Sequence, residues 1–291
     1  MGPVGPATMV SSTRPFTTRG TGAEGLLFNS EYPMVRWLEH NGYDVSYSTD
    51  VDSDLRGSQI LGHQAFLSVG HDEYWSAGPR VSVETRRAAG VNLAFFSGNE
   101  IYWKTRWEDS HRTLVSYKEG DAQGSVEHFD CYQNFDCDPS PTIWTGLWRQ
   151  NQTGDDGGRP ENALSGQISW GNATSAIQVP VADSGLRFWR NTGVSGATTL
   201  NDGTVGYEFD WQQAAYASSY PAGRITVSDT TVGGKDHRMS LYRASGGALV
   251  FGAGAIQWSW GLDGTQDRGV STADTRTRQA RANLLAAQGT Q

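Results

Sequence analysis

The chain has 291 residues and a formal net charge of −8, with 23 Lys and Arg residues against 31 Asp and Glu residues. This balance argues against a nucleic-acid partner, because a phosphate backbone requires a basic surface. The 36 Gly residues argue against a bundle of long helices, while the 11 Trp residues can build a core. No apolar run approaches the roughly 20 residues of a membrane-spanning helix, so we also expect no membrane partner. A globular protein rich in loops and strands remains.

The first part of the chain and the cysteines bear on its location. Residues 1–25 are rich in Gly, Pro, Ser and Thr without periodicity, and we interpret them as a flexible arm or a truncated linker. They lack the basic and apolar regions of a secretory signal. Cys131 and Cys137 have a spacing that suits a small disulfide loop, and Asn151 and Asn172 begin glycosylation sequons. These features slightly favour an extracellular or secreted protein, with the cytoplasm as the alternative.

Hydrophobic periodicity predicts alternating helices and strands in the first third of the chain. The predicted order is a helix from Ser30 to Asn41, a strand at 44–48, a short helix after Asp52, a strand at 65–69, a helix from Pro79 to Gly90 and a strand at 91–96. Because this βαβ order implies parallel strands, we expect an α/β fold with a parallel sheet flanked by helices.

Beyond about residue 112 the pattern changes to short strands separated by polar loops. We expect strands at 112–118, 186–190, 205–209 and 224–227, a hairpin of 240–243 with 248–251, and a closing helix from Ser271 to Ala287 with Ser271 and Asp274 as a capping box. The second half is therefore predicted to be β-rich and to end in a C-terminal helix. We predict one α/β domain over residues 26–291, with a loop-rich β insertion at about 119–235.

Two clusters of polar and aromatic residues directly follow the predicted buried strands, at residues 70–76 and 97–103. Ligands of open α/β sheets bind beyond the carboxyl ends of the strands. His71 and Glu73 can lie on the same side of an extended chain, so a functional pair and a structural histidine are about equally expected. Lys118 and Glu208 lie in strand-like runs, where a charge more often simply faces solvent. The tyrosines and tryptophans of both clusters are expected mainly in the core.

Common catalytic signatures are absent from the sequence, which has no G-x-S-x-G elbow, no H-E-x-x-H pair and no phosphate loop. Residues 50–54 begin like a calcium loop, but Leu55 and Leu61 stand where that loop needs Gly and Glu. We therefore interpret these acidic residues as helix caps.

The sequence resembles a known family, the C-terminal domain of the large (beta) subunit of N,N-dimethylformamidase and its relatives. The resemblance spans roughly residues 26–288 and runs through the blocks at 31–33, 36–39, 42–45, 71–76, 98–103, 117–119, 160–162, 206–210 and 258–262. It implies an amide hydrolase with a mononuclear ferric ion, Fe(III), held by two tyrosinates and one glutamate. It also implies a sheet domain similar to class I glutamine amidotransferases.

The resemblance gives candidate roles to five residues. Glu73 matches the glutamate that binds the metal. Glu208 matches a glutamate of the same pocket and would act as base or nucleophile. His71, Asn99 and Lys118 match residues that would orient the substrate and stabilise the oxyanion. The ferric ion would polarise an amide carbonyl or acidify a bound water.

The tyrosinate ligands of the family lie well upstream of the His-x-Glu block. The only tyrosines before His71 are Tyr32, Tyr43 and Tyr47, which are expected to pack in a helix and a strand. We therefore expect this chain to supply at most one metal ligand, Glu73, and an upstream domain or partner chain to complete the site. Our hypothesis is that the chain by itself is a fragment with the fold and half of the pocket.

The leading functional prediction is an amidohydrolase-like domain acting on a small linear amide or another non-peptide C–N bond. The alternative is a non-catalytic binding module of a secreted multidomain protein, with carbohydrate as its ligand, because the 11 Trp residues suit stacking on sugars. The two differ in where Glu208 lies: near His71, Glu73, Asn99 and Lys118 in a hydrolase, or facing solvent in a binding module.

Overall fold

The computed structural model describes residues 7–15, 17–19, 27–118, 138–150, 156–168, 170–201, 203–268 and 271–290. Its helices are α1 Tyr32–His40, α2 Asp50–Arg56, α3 Ala77–Ala88, α4 Asn162–Ser165, α5 Val181–Ser184 and α6 Thr275–Ala287. Its strands are β1 Met9–Ser11, β2 Ala65–Gly70, β3 Tyr74–Ser76, β4 Asn92–Ser97, β5 Trp103–Glu108, β6 Thr113–Val115, β7 Gly171–Asn172, β8 Gln178–Val179, β9 Thr198–Thr199, β10 Glu208–Phe209, β11 Ile225–Thr226, β12 Thr230–Val232, β13 Lys235–His237, β14 Ser240–Arg243 and β15 Leu249–Gly252.

The central sheet has five strands in the order β11-β14-β15-β4-β2. Strands β2, β4 and β15 are parallel, whereas β14 and β11 continue the sheet in antiparallel pairing. The register places Gly70 of β2 beside Ser97 of β4. The residues that follow these two strands, including His71 and Asn99, therefore leave the sheet at the same edge.

The core lies on both faces of strand β4. Ala94 and Phe96 pack in one apolar cluster with residues of α1 and α6, and Leu93 and Phe95 pack in another with Val83 of α3. All four β4 side chains are fully buried. An uninterrupted apolar run is what a strand covered on both faces requires, and this is why β4 was visible in the sequence.

A second sheet, in the order β1-β6-β5-β3, lies next to the site described below. Strand β3 pairs in parallel with β5, and β5 pairs antiparallel with β6. Tyr74 begins β3 immediately after Glu73, and Lys118 follows β6 by three residues. The second sheet therefore connects two of the predicted site residues.

The predicted α/β fold with a helix-flanked parallel sheet, similar to class I glutamine amidotransferases, is wrong. Among the described residues the sheets are mixed, most strands are short and antiparallel, and helices are few, so the fold is β-rich. The βαβ unit of β2, α3 and β4 is real, but the chain then leaves the central sheet. The next strand beside β4 is β15, which comes from much later in the chain.

Several local predictions can now be compared with the structure. The helices near Ser30 and Pro79, the strands at 65–69 and 91–96, and the hairpin of β14 and β15 are confirmed. The strand predicted at 44–48 is wrong because the chain is irregular there, and the strand at 186–190 is instead a 3₁₀ turn at Arg187–Trp189. Helix α6 has Asp274 as its N-cap, which accepts a hydrogen bond from the backbone N–H of Arg276. It therefore begins later than predicted.

Within the described part of the chain, no helix combines the length and the apolar character needed to cross a membrane. Cys131, Cys137 and Asn151 lie outside the described residues, whereas Asn172 is exposed in β7. The predicted domain boundaries stay a prediction.

Candidate functional site

The structure brings His71, Glu73, Asn99, Lys118 and Glu208 together at one edge of the central sheet. His71 and Glu73 follow β2, Asn99 follows β4, Glu208 begins β10, and Lys118 follows β6. Strand β10 approaches this edge through a bridge between Phe209 and Ala255, just beyond β15. Residues that are far apart in the sequence thus meet in one cluster, which we call the rim cluster.

Gly98 permits the close approach of β10. A Cβ atom at this position would lie 2.6 Å from the backbone oxygen of Glu208 and 3.0 Å from the Cα atom of Ala255. Any larger residue would push the backbone of β10 away from β4. The glycine of the Gly98-Asn99 pair is therefore required by packing.

Glu208 is the centre of the rim cluster. Its Oε2 atom lies 3.0 Å from Nε2 of His71 and accepts a hydrogen bond of 3.2 Å from Nδ2 of Asn99. Nε2 of His71 lies 3.7 Å from Oε2 of Glu73. The side chains of His71, Glu73 and Glu208 are 20%, 12% and 17% exposed, so each can be reached from solvent.

Lys118 lies beside Tyr74 at the border of the rim cluster. Its ammonium group donates a hydrogen bond to the phenol oxygen of Tyr74 and lies 5.6 Å from the ring centroid of Trp103. Its positive charge acts to lower the pKa of both Glu73 and Glu208. Lys118 has a φ of 53°, a left-handed conformation that is uncommon for lysine. Lys118 therefore contributes a positive charge to the cluster from an uncommon backbone conformation.

The charges of the rim cluster lower the pKa of Glu208 and raise the pKa of His71. Burial acts to raise the pKa of Glu208, but the hydrogen bond and charge of His71, together with Asn99 and Lys118, hold it below its ordinary value. Burial acts to lower the pKa of His71, but the hydrogen bond to Glu208 and the charges of Glu73, Glu208 and Asp72 raise it above its ordinary value. The pair therefore favours a carboxylate beside an imidazolium. Burial raises the pKa of Glu73, against the influence of His71 and Lys118.

Aromatic side chains border the rim cluster. The ring of Tyr207 stacks against His71 at 6.4 Å between centroids, and the guanidinium of Arg268 lies 4.3 Å from the centroid of Tyr207. Trp75 and Trp103 are buried core residues, as predicted for most aromatics of these segments. Tyr207 belongs to the block of the resemblance at 206–210, directly before Glu208, but no role was predicted for it.

A group of buried carboxyls, for which the sequence suggested no individual role, adjoins the rim cluster through Asp72, a neighbour of His71. The hydroxyl of Ser68 lies 2.6 Å from Oδ2 of Asp72 and 3.1 Å from Oε1 of Glu100. One hydroxyl proton cannot serve two carboxylates, and burial raises the pKa of both acids. At least one of them is therefore expected to carry a proton. Their positions inside the His71–Ser76 and Ser97–Trp103 segments were the available signal.

The residues present do not by themselves fit a ferric site. Within the part of the chain that the structure describes, no group of three or more His, Cys, Asp or Glu side chains is arranged to hold a metal ion. Glu73 would be a single carboxylate ligand, and His71 is engaged with Glu208. Tyr43 stacks on Trp37, and the phenol of Tyr47, 61% exposed, donates to Glu39. The prediction that these tyrosines pack against other side chains is therefore confirmed for Tyr43 and wrong for Tyr47.

Two cavities in the described part of the molecule lie apart from the rim cluster. One of about 380 Å³ is lined by residues such as Asp54, Ser76, Lys104 and His111. Another of about 500 Å³ is lined by α1 and by Asp263 and Arg278. None of the five predicted site residues lines either cavity. A functional proposal therefore has to rest on the acid, base and cation that meet in the rim cluster, and not on the size of a cavity.

The β-rich fold and the acid–base cluster at its sheet edge define a domain that could support proton-transfer chemistry. The family model of the N,N-dimethylformamidase beta subunit-like, C-terminal domain matches residues 3–272. The chain belongs to this family, and the resemblance found in the sequence is confirmed. No curated protein sequence matches the chain significantly.

Proposed function

We propose that the rim cluster binds a small linear amide, or a related molecule with a non-peptide C–N bond, and hydrolyses that bond. The observation that carries this proposal is the position of Glu208, a partly exposed carboxylate that accepts hydrogen bonds from both His71 and Asn99. Membership of the dimethylformamidase-like family supports an amide as the substrate class. The depressed pKa of Glu208 keeps it ionised at neutral pH, as a base requires.

In the proposed reaction, Glu208 removes a proton from a water molecule while the water oxygen attacks the amide carbonyl carbon. The carbonyl oxygen gains negative charge, which the second N–H of the Asn99 carboxamide and the ammonium of Lys118 stabilise. The C–N bond then breaks, and the departing amine takes a proton from the imidazolium of His71. The products are a carboxylic acid and an amine. The proton on Glu208 then passes to Nε2 of His71 across their 3.0 Å contact, which restores the charged pair and balances atoms and charge without a further reactant.

Iron enters as a separate proposal, and no step above depends on it. Glu73 would supply one ligand to a ferric ion, and a partner subunit or an upstream segment would supply the others. The family is named for a beta subunit, which is consistent with a protein that works beside another subunit. An extracellular or secreted location also stays a proposal.

The alternative of a non-catalytic carbohydrate-binding module is less well supported. That function would place Glu208 toward solvent, away from the other predicted residues. Its hydrogen bonds to His71 and Asn99 instead favour the hydrolase.

The test is release of dimethylamine from N,N-dimethylformamide by the purified chain, with and without added ferric ion. Glu208→Gln keeps the size of the side chain and removes its basicity, so we expect the rate to fall about 100-fold or more. Glu39→Gln, on the exposed end of α1, is the matched control and should retain the wild-type rate. Equal rates in wild type and Glu208→Gln would contradict the role of Glu208. No amine release in either condition would contradict hydrolysis by this chain alone.

A further inference from the structure

The side chain of Asn99 does not by itself stabilise the backbone conformation of this residue. Its φ is 54°, in the left-handed region that non-glycine residues rarely adopt, and only 3% of the residue is exposed. Its Nδ2 donates to Glu208, but its Oδ1 is buried without a hydrogen-bond partner. The carboxamide is therefore directed by one hydrogen bond only, and another contact has to fix the backbone beneath it.

Asp210 supplies that contact. The backbone N–H of Asn99 donates a hydrogen bond of 3.0 Å to Oδ1 of Asp210, which is 1% exposed. Glu208 and Asp210 are two positions apart at the end of β10, so an extended chain presents both side chains to the same face. One strand end thus holds the backbone of Asn99 and accepts the hydrogen bond of its carboxamide.

Asp210 is itself held in place from two sides. Its backbone N–H donates to the oxygen of Gly254, just beyond β15, at 2.9 Å. Its backbone oxygen lies 3.0 Å from Nδ1 of His237 in β13. His237 is fully buried, and burial lowers its pKa to about 4, so the neutral ring donates its Nδ1 proton to this oxygen. The backbone of Asp210 is consequently fixed relative to the sheet, and its Oδ1 atom is held by the hydrogen bond from Asn99.

The close contact between Gly98 and β10 limits how the backbone of Asn99 can move relative to Asp210. The backbone oxygen of Glu208 lies 2.6 Å from the position that a Cβ atom of Gly98 would take, so the turn after β4 and the end of β10 are in direct contact. A change in the backbone at Asn99 cannot be absorbed by moving β10 closer. The hydrogen bond from Asn99 to Asp210 therefore determines where the Asn99 carboxamide lies.

We propose that Asp210 is a positioning residue that holds the backbone of Asn99 and thereby directs its carboxamide at Glu208. The consequence for catalysis rests on the proposed hydrolase function, whereas the structural statement does not. Asp210 acts through Asn99, so its loss should affect the rate of the chemical step more than substrate binding.

The structural part is tested by NMR on protein labelled with ¹⁵N-asparagine. In the wild type, the backbone amide of Asn99 should exchange slowly with solvent and resonate downfield, because it donates to a buried carboxyl oxygen. Asp210→Asn retains an oxygen acceptor and should keep this signal, whereas Asp210→Ala should lose both features. Asp274→Ala, which removes a buried acceptor at the start of α6, is the control and should leave the signal unchanged. An unprotected Asn99 amide in the wild type would overturn the proposal even if Asp210→Ala did not fold.

The catalytic part is tested with a double-mutant cycle on N,N-dimethylformamide hydrolysis. Asn99→Ala and Asp210→Ala should each lower kcat by about 10- to 100-fold with a smaller change in KM. The double variant should be no slower than the slower single variant, and Asp210→Asn should recover most of the rate. Additive losses would overturn the positioning role. Inactive wild-type protein with a protected Asn99 amide would instead count against the hydrolase function while supporting the structural role of Asp210.

Discussion

The Nε2 atom of His71 lies 3.0 Å from the Oε2 atom of Glu208, although the two residues belong to distant parts of the chain. One residue follows a strand of the central sheet, and the other begins a short strand that reaches the same edge from the β-rich half. The contact stabilises the charged forms of both groups. This coupling leads to several measurable consequences.

The pH dependence of the proposed reaction should be bell-shaped. The pKa of Glu208 is held below its ordinary 4.5, so the base should lose its activity only in more acidic solution. The pKa of His71 is raised above 6.5, so the proton that it donates should be lost only at higher pH. We expect kcat/KM for N,N-dimethylformamide to fall on the acid side at a pH below the ordinary 4.5 of a glutamate, and on the alkaline side at a pH above the ordinary 6.5 of a histidine. A rate that rises continuously from pH 6 to pH 9 would contradict this assignment.

The contribution of two buried carboxyls, Glu31 and Asp50, to the stability of the protein should decrease as the pH rises toward 7. Burial, together with the charge of Asp72, raises the pKa of Glu31 from 4.5 to about 7, and burial raises that of Asp50 from 3.8 to about 7. The folded state therefore binds these protons more tightly than the unfolded chain does. The stabilisation is complete below the unfolded pKa values and is lost as the pH passes through about 7.

Glu31→Gln should flatten this dependence, because a neutral amide cannot lose the proton. The change in unfolding free energy between pH 5 and pH 8 should shrink by about 1–3 kcal/mol, measured by urea denaturation. The exposed Glu39→Gln should leave the dependence unchanged. The same pH dependence of stability in the wild type and in Glu31→Gln would argue against a buried, protonated carboxyl at Glu31.

Gly98→Ala should destabilise the protein and displace Glu208. The new Cβ atom would lie 2.6 Å from the backbone oxygen of Glu208, so β4 and β10 have to separate. We expect a loss of about 1–3 kcal/mol in unfolding free energy. Gly62→Ala is the matched control, because its Cβ atom would have no neighbour within 4 Å. Equal stabilities of the two variants would show that β10 is not packed against Gly98.

Local sequence patterns predicted the elements that depend on local packing. The apolar run of β4 and the hairpin of β14 and β15 follow from burial on both faces and from turn chemistry. The order of the strands in the sheets could not be predicted from local sequence patterns. Whether β4 is followed in space by β5 or by β15 depends on contacts between distant segments, and the regular βαβ order at the start of the chain favoured the wrong fold class.

Part of the candidate site could be predicted from the sequence, because some of its residues follow recognisable strands. His71, Glu73 and Asn99 follow strands whose carboxyl ends meet, so the sequence could place them together. Lys118 and Glu208 carried no local signal beyond a charge in a strand-like run, and only the family resemblance singled them out. Asp210 belongs to the block of the resemblance at 206–210 but had no predicted role, because acidic residues are ordinarily exposed and its burial depends on distant partners.

The central claim is that Glu208 and His71 form one charged pair at the sheet edge, and an NMR titration of the His71 ring tests it most directly. We expect the pKa of His71 to lie above 6.5 in the wild type and in Glu39→Gln, and to fall in Glu208→Gln, because the main group that stabilises the imidazolium is then neutral. An unchanged His71 titration in Glu208→Gln would show that the two side chains do not meet and would contradict the proposed site.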